Sequence, residues 1–495
     1  MNGPKKSDPS TVATKPGNNS GRSGAETAEP REGAEGSAIE PHTHRTQRRI
    51  SVSPGLDRVR ERARQEKKQR FTALLHHVTI DLLRMAYLEL KRDAAPGVDG
   101  VTWKEYGQDL EVALLDLHGR VHRGTYRALP SRRKFIQKED GQQRPLGIAS
   151  LEDKIVQRAV VEILNAIYEQ DFMGFSYGFR PGRSQHDALD ALAFGITRMK
   201  VSWIVDADVR SFFDSISHDW LIRFVEHRIG DPRMIRLIRK WLKAGVMDGL
   251  EWSPSAIGSP QGSVISPMLA NIYLHYSFDL WADRWRHRAH GKVVFVRYAD
   301  DSVAGFEHEH EARRFLEDLH ERMKKFALAL HPEKTRIIEF GRFAAERRAR
   351  RGLGKPETFN FLGFTHICGH SRAGHFLLNR KTRRDRMRTR LKAIKEGLWR
   401  RLHQPLYKQG RWLGQVVRGY LAYHAVPTNA RSLGAFRQRV IELWRRTLRR
   451  RSQRDRCTWA KILQLATEFL PVVRILHPWP QDRFAVNHPR WKPGA

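Results

Sequence analysis

The stretch from Val293 to Phe306 reads VVFVRYADDSVAGF. Two apolar runs flank the adjacent acids Asp300 and Asp301, which predicts a tight β-hairpin with carboxylates at its tip. Upstream, Trp203-Ile204-Val205-Asp206-Ala207-Asp208-Val209 predicts a second strand, again apolar and again carrying acids. Helical spacing takes over elsewhere. Ile155, Val156, Ala159, Val160, Ile163, Leu164 and Ile167 form one stripe behind a capping-box start at Ser150–Asp153. Met387, Leu391, Ile394, Leu398 and Leu402 recur at spacings of 4, 3, 4 and 4, the apolar face of a further helix. Another helix is predicted from about Leu433 to Arg451, with Phe436, Val440, Trp444 and Leu448 facing inward and Trp444 read as core. Turn chemistry fills the gaps. Asp140-Gly141 signals a hairpin, Thr102 and Ser266-Pro267 signal helix starts, and Phe359–Phe364 reads as a short strand pair with a glycine.

Composition sharpens this picture at the ends of the chain. Residues 1–55 hold almost no large apolar side chains and cannot bury enough surface to offset their ordering entropy, so they are expected to be disordered. A basic, helix-prone run from Arg58 to Arg70 follows, and the folded part is expected to begin around Phe71. The whole chain carries 89 Lys and Arg against 54 Asp and Glu, a net charge of +35 with pI near 10.7. Such a balance points to a polyanionic partner, with nucleic acid first. No apolar stretch approaches the length of a membrane span, and no signal-peptide core is present at the N-terminus. Two cysteines, Cys368 and Cys457, define neither a disulfide framework nor a zinc site, which fits the cytoplasm.

Carboxylates inside apolar strands are costly to bury unless paired or bound to metal. Asp208 meeting Asp300 and Asp301 on one sheet would give three hard oxygen donors, suited to two Mg2+ ions that also hold substrate phosphates, with Mn2+ as a substitute. Two metals about 3.5–4 Å apart can activate a primer 3′-hydroxyl and stabilise leaving pyrophosphate. Asp206 and Asp214 read as strand-end acids. Lys138 and Arg144 flank the Asp140-Gly141 turn, a basic hairpin able to grip a triphosphate or simply to sit in solvent. Tyr177–Ser184 (YGFRPGRS) is a basic turn suited to phosphates through Arg180 and Arg183, or a plain loop. Small residues at Gly258–Ser263 let the backbone approach a base pair closely. Between Arg380 and Leu402 eleven Lys or Arg face two acids, so Arg384 and Arg388 are candidate phosphate contacts. Arg418, Tyr420 and Tyr423 combine cation and aromatic rings, which suits stacking on unpaired RNA bases and equally the core of a helical thumb.

Taken together, the chain resembles the bacterial group II intron-encoded reverse transcriptases, or intron maturases, from about Phe71 onward. The blocks PGVDG (96–100), RPLGI (144–148), YGFRPGRS (177–184), DVRSFFD (208–214), SPQG (259–262), YADD (298–301) and FLGF (361–364) stand in that family's order. The resemblance implies an α+β right-hand polymerase fold, with fingers and palm over 56–365 and a helical thumb, or maturase domain X, over 366–455. Residues 456–495 would be the short tail of members lacking an HNH endonuclease, because Cys457 stands alone and His477 and His488 are isolated. By motif match, Asp208, Asp300 and Asp301 would hold the metals with the Val209 carbonyl. Phe213 would lie beneath the nucleotide sugar, Lys138 and Arg144 on the triphosphate, and Gln261 and Gly262 near the templating base. Domain X, around Arg418–His424, would bind intron RNA and assist splicing.

The implied activity is RNA-directed DNA synthesis from deoxynucleotides, with intron RNA, an RNA template with DNA primer, and target DNA as partners. The implied setting is the bacterial nucleoid, without a membrane. Two other readings compete. A non-catalytic splicing factor would have no need of the acidic triad. A reverse transcriptase free of any intron, serving repair or defence, would be expected to carry a fused nuclease or an altered YADD box.

Overall fold

The computed structural model describes residues 54–137, 143–249, 251–253, 257–258, 262–451 and 457–487. The predicted disordered segment falls outside these residues except for Pro54 and Gly55, which begin a helix. That helix, α1 (Pro54–Gln65), buries Leu56, Val59 and Ala63 in the main core, so the fold starts ahead of Phe71. Its C-terminal carbonyls would otherwise lack partners. Arg228, nearly fully buried, meets them, donating to Ala63 O at 3.3 Å and Glu66 O at 3.1 Å.

Next come α2 (Ile80–Glu89), α3 (Trp103–Tyr106) and α4 (Leu110–Arg123). Thr102 caps α3 through a full capping box with Glu105. β1 (Ser131–Gln137) and β2 (Gln143–Ile148) form the predicted antiparallel hairpin, whose tip lies outside the described residues. α5 (Leu151–Tyr168), capped by Ser150, carries the expected stripe and is buried along most of its length. α6 (Gln185–Arg198), β3 (Trp203–Ala207), α7 (Phe212–Ser215), α8 (His218–Glu226) and α9 (Pro232–Lys243) follow. Two short strands, β4 (Val246–Asp248) and β5 (Glu251–Ser253), extend the hairpin into a sheet of order β2-β1-β4-β5.

α10 (Ser266–Leu274) passes through a π-turn at His275–Asp279 into α11 (Leu280–Arg288). The cap of α10 is Ile265 rather than Ser266, one residue earlier than the sequence suggests. β6 (Val293–Tyr298) and β7 (Asp301–Phe306) are the acid-tipped hairpin. α12 (Glu309–Lys325) and β8 (Arg336–Glu339) complete the second sheet, of order β6-β7-β3-β8. Apart from Val294, which is half-buried, β6 is buried throughout, which is why it reads as an apolar run and not as an alternation.

Beyond α13 (Ala344–Arg350), three strands form an antiparallel sheet of order β11-β10-β9, from β9 (Phe359–Phe361), β10 (Phe364–His370) and β11 (Phe376–Thr382). The expected boundary at 365/366 therefore cuts a strand. Phe359, Phe361, Phe364 and Leu378 share a core with α6 and β6, which binds this sheet to the palm. The helical part begins only at α14 (Arg384–Arg400), followed by α15 (Leu406–His424), α16 (Ala430–Arg451), α17 (Trp459–Phe469) and α18 (Pro480–Asn487). Trp444 is fully buried in its core, as predicted. The expected C-terminal tail is instead two docked helices. Ile462, Ala466 and Leu470 join the thumb core, and Arg483 on α18 reaches back to Asp190 on α6 at 3.1 Å. Among the described residues, no helix is long and apolar enough to cross a membrane.

Candidate polymerase site

The acid-bearing hairpin turns in two residues. Tyr298 pairs with Asp301, and Ala299 takes a left-handed φ of +56°. A non-glycine residue held there must be fixed by its surroundings. The fixing group is Arg297, 1% exposed. It donates to Ala299 O at 2.9 Å, Asn271 Oδ1 at 3.1 Å and Ser176 Oγ at 2.7 Å. It also makes a two-pronged pair with the fully buried Asp279, at 2.7 and 2.6 Å. The π-turn that inserts a residue between α10 and α11 contains Asp279, in keeping with the tendency of such bulges to mark functional sites. Asn271 in turn donates to Gly178 O at 2.7 Å. A Cβ at Gly178 would collide with the backbone of Ala299. Thus part of the YGFRPGRS loop is the bed on which the YADD tip rests.

β3 lies beside β7, with Ala207 opposite Ser302. One step further in this register, Asp208 comes beside Asp301. On its other side β3 pairs with β8, Asp206 opposite Arg336. Two steps along, Lys334 Nζ stands 3.1 Å from Asp208 Oδ2. Asp206 faces the same way as Asp208, with Arg336 at 4.0 Å. Burial pushes Asp206 up to about 6, against the pull of Arg336 and with help from Asp208.

The three predicted acids thus lie at the same end of the sheet, at the tip of β6-β7 and just past the end of β3. Among the described residues, however, no three His, Cys, Asp or Glu side chains are drawn around a common point that would hold a metal ion. Asp208 is paired with the Lys334 ammonium. A donor set of hard oxygens that already attracts a cation fits a divalent metal.

The remaining predicted residues divide. Phe213 is half-buried and packs edge-on to Phe212 at 5.4 Å. Gly262, at φ +108°, lies so close to the RPLGI block that a Cβ would come within 2.8 Å of Gly147 O. The site's loop and the fingers hairpin are therefore in backbone contact. Ser263 Oγ, 2.7 Å from Gln157 Oε1, secures the same loop to α5. Val209 is buried and bridges to Leu330. Lys138, Gln261 and the side chain of Arg144 lie outside the described residues.

The assignments to RNA contact need correction. Arg180 is buried, bonding Glu169, Met173 O and Ser176 O, and so locks its own loop. Arg183 likewise donates to Gly174 O at 2.6 Å and stacks over Tyr177. Tyr420 is only 6% exposed and lies flat on Phe436, ring centroids 3.6 Å apart. Tyr423 donates to Leu362 O at 2.8 Å and stacks on Phe364. Both tyrosines are packing residues, turned in because the apolar face of α15 faces the core. Arg384, Arg388 and Arg418 are all exposed to solvent.

Sequence reasoning passed over Arg297, Asp279 and Lys334. Two of these left a trace: an arginine inside VVFVRY and an aspartate inside an otherwise apolar helix are each costly unless they find one another.

Residues 136–366 match the family described as Reverse transcriptase (RNA-dependent DNA polymerase). Protein YkfC of Escherichia coli (strain K12) is 36% identical over 247 residues, covering 44% of this chain and 64% of YkfC. Group II intron-encoded protein LtrA of Lactococcus lactis subsp. cremoris is 36% identical over 224 residues, 44% of this chain and 37% of LtrA. A 91 kDa protein in the cob intron of Schizosaccharomyces pombe is 47% identical over 147 residues, 30% of this chain and 18% of that one. The chain thus spans less than two thirds of each of these relatives. Residues 136–366 are a reverse transcriptase domain on an α+β polymerase fold. Its relatives include proteins described as group II intron-encoded and as intron maturases.

Proposed function

We propose that the chain is an RNA-directed DNA polymerase of a group II intron, copying intron RNA into DNA and binding that RNA to assist its splicing. The observation that carries this reading is that Asp208, Asp300 and Asp301 lie at the same end of one sheet in neighbouring register positions, with the tip fixed by a buried arginine network. Reverse transcriptases use divalent metal ions; here two Mg2+ ions, held by the three carboxylates and the Val209 carbonyl, would lower the charge of the triphosphate and the pKa of the primer hydroxyl. The chain's own groups orient the reactants. Phe213 would support the nucleotide sugar, and Lys138 with Arg144 would take the triphosphate from the fingers. Gln261 and Gly262 would bound the templating base. Lys334 would move from Asp208 toward phosphate as metal arrives, since two cations at one carboxylate repel. The template is RNA, the primer DNA, and the proposed setting is the bacterial cytoplasm at the nucleoid.

Primer extension by the full chain on an RNA template with Mg2+ tests this, beside the double variant Asp300→Ala, Asp301→Ala. Extension by the wild type and none by the variant is expected. Wild-type protein that binds structured RNA tightly yet extends no primer would overturn the polymerase reading.

A further inference from the structure

With Tyr420 and Tyr423 turned inward, the aromatic and basic chemistry that faces solvent on the thumb lies elsewhere. Arg384, Arg388, Lys392, Lys395 and Trp399 recur at spacings of 4, 4, 3 and 4 along α14; Lys392, Lys395 and Trp399 are exposed or nearly so. They form one continuous face, beside the apolar stripe that packs inward. α16 contributes Arg439, Arg446 and Arg450, at spacings of 7 and 4, on the adjoining side. Between the helices, Leu391 and Leu443 floor a groove whose walls are Lys392, Lys395, Arg439, Glu442 and Arg446. Arg439 pairs with Glu442, the one acid of the groove, at 3.1 Å.

Trp399 stands at the end of this groove's basic wall. It is 57% exposed, and the Arg450 guanidinium sits 5.8 Å from its ring centre. A single exposed tryptophan means little by itself. In line with four cations, it does. We propose that this face of α14 and α16 binds unpaired RNA, its cations following the phosphates and Trp399 stacking on a base. From Arg388 to Trp399 the face runs about 16 Å, at 1.5 Å per helical residue. Stacking selects for unpaired bases, because a base held in a duplex keeps its faces covered by its neighbours. The proposal deepens the RNA-binding part of the function above and is independent of the polymerase chemistry.

Fluorescence anisotropy with the full chain tests it. The probes are a labelled 20-residue oligouridylate and a paired RNA duplex of equal length, at two salt concentrations. Trp399→Ala should weaken oligouridylate binding about tenfold and leave duplex binding unchanged, while Trp399→Phe retains most of the affinity. Lys392→Gln with Lys395→Gln should make the salt dependence shallower, by about 0.7 in logarithmic slope for each phosphate that the variant no longer neutralises. Unchanged oligouridylate affinity in Trp399→Ala, or equal loss on the duplex, would overturn the proposal. So would polyglutamate displacing the RNA at equal charge concentration, since the face would then serve acidic polymers in general. Failure of the wild type in primer extension would leave these measurements standing, so the two readings fail separately.

Discussion

Arginine does opposite work in the palm and in the thumb. In the palm and at its borders, Arg180, Arg228, Arg297 and Arg380 are nearly excluded from solvent, and each is tied to carbonyls or carboxylates. In the thumb, Arg384, Arg388, Arg439, Arg446 and Arg450 reach water along two helix faces. The first group fixes backbone that carries chemistry. The second offers charge to a partner. A net charge of +35 counts both alike, so the part available to nucleic acid is smaller than the total suggests.

The sharpest way to break this contrast is at Arg297. Replacing it with Met leaves Asp279, a carboxylate with no exposure, without its arginine and with the His275 ring nitrogen nearby, at 4.0 Å. Removing one partner of a buried pair costs about 3–5 kcal/mol, which thermal or urea unfolding would show directly. Adding Asp279→Leu should restore most of that stability, because the stranded charge is gone. Primer extension should stay at least tenfold down in the double variant, since Ala299 O is still without its donor. Full extension by the double variant would mean that Arg297 merely neutralises Asp279.

A second, graded effect comes from buried histidines. Burial holds His186 down at about 2, His366 and His424 at about 3, and His275 at about 4. Each is neutral in the folded chain, whereas unfolded histidine takes up a proton near pH 6.5. Their contribution is therefore complete above pH 6.5 and is lost as pH falls toward the folded values. Each can remove up to about 1.4 kcal/mol per pH unit in that window. His186 stacks on His477 at 3.8 Å, so the first element to loosen should be the C-terminal segment that docks on α6. Urea midpoints should fall only slightly from pH 7.5 to 6.5 and steeply from 6.5 to 5.5, and His186→Gln should flatten that decline. A flat wild-type profile would contradict the neutral assignment.

What the sequence made legible follows from what periodicity can encode. The acid-tipped hairpin, the stripe of α5 and the buried Trp444 each depend on local pattern, and each formed as read. The positions of Arg297 relative to Asp279, and of Lys334 relative to Asp208, depend on pairings 18 and 126 residues apart in sequence. No local pattern states such a pairing. The expected domain boundary failed for a similar reason: Phe364 belongs to a strand whose partner, Thr382, lies beyond the cut. Tyr420 and Tyr423 failed differently. Rings beside an arginine serve an RNA site or a helix core equally well, and only the direction in which α15 faces decides between them.

That last ambiguity sets the smallest measurement. Tyr423→Phe keeps the ring on Phe364 and removes only the hydroxyl that reaches Leu362 O. Leu362 sits at φ +45° in the tight turn between β9 and β10, a conformation that needs outside support. Loss of one hydrogen bond of this kind should cost about 1 kcal/mol in urea unfolding, with oligouridylate affinity unchanged. Trp399→Ala should do the reverse, sparing stability and weakening RNA. If Tyr423→Phe instead weakened RNA and left stability alone, the hydroxyl would be reaching nucleic acid, and the division between inward and outward faces of the thumb would have to be redrawn.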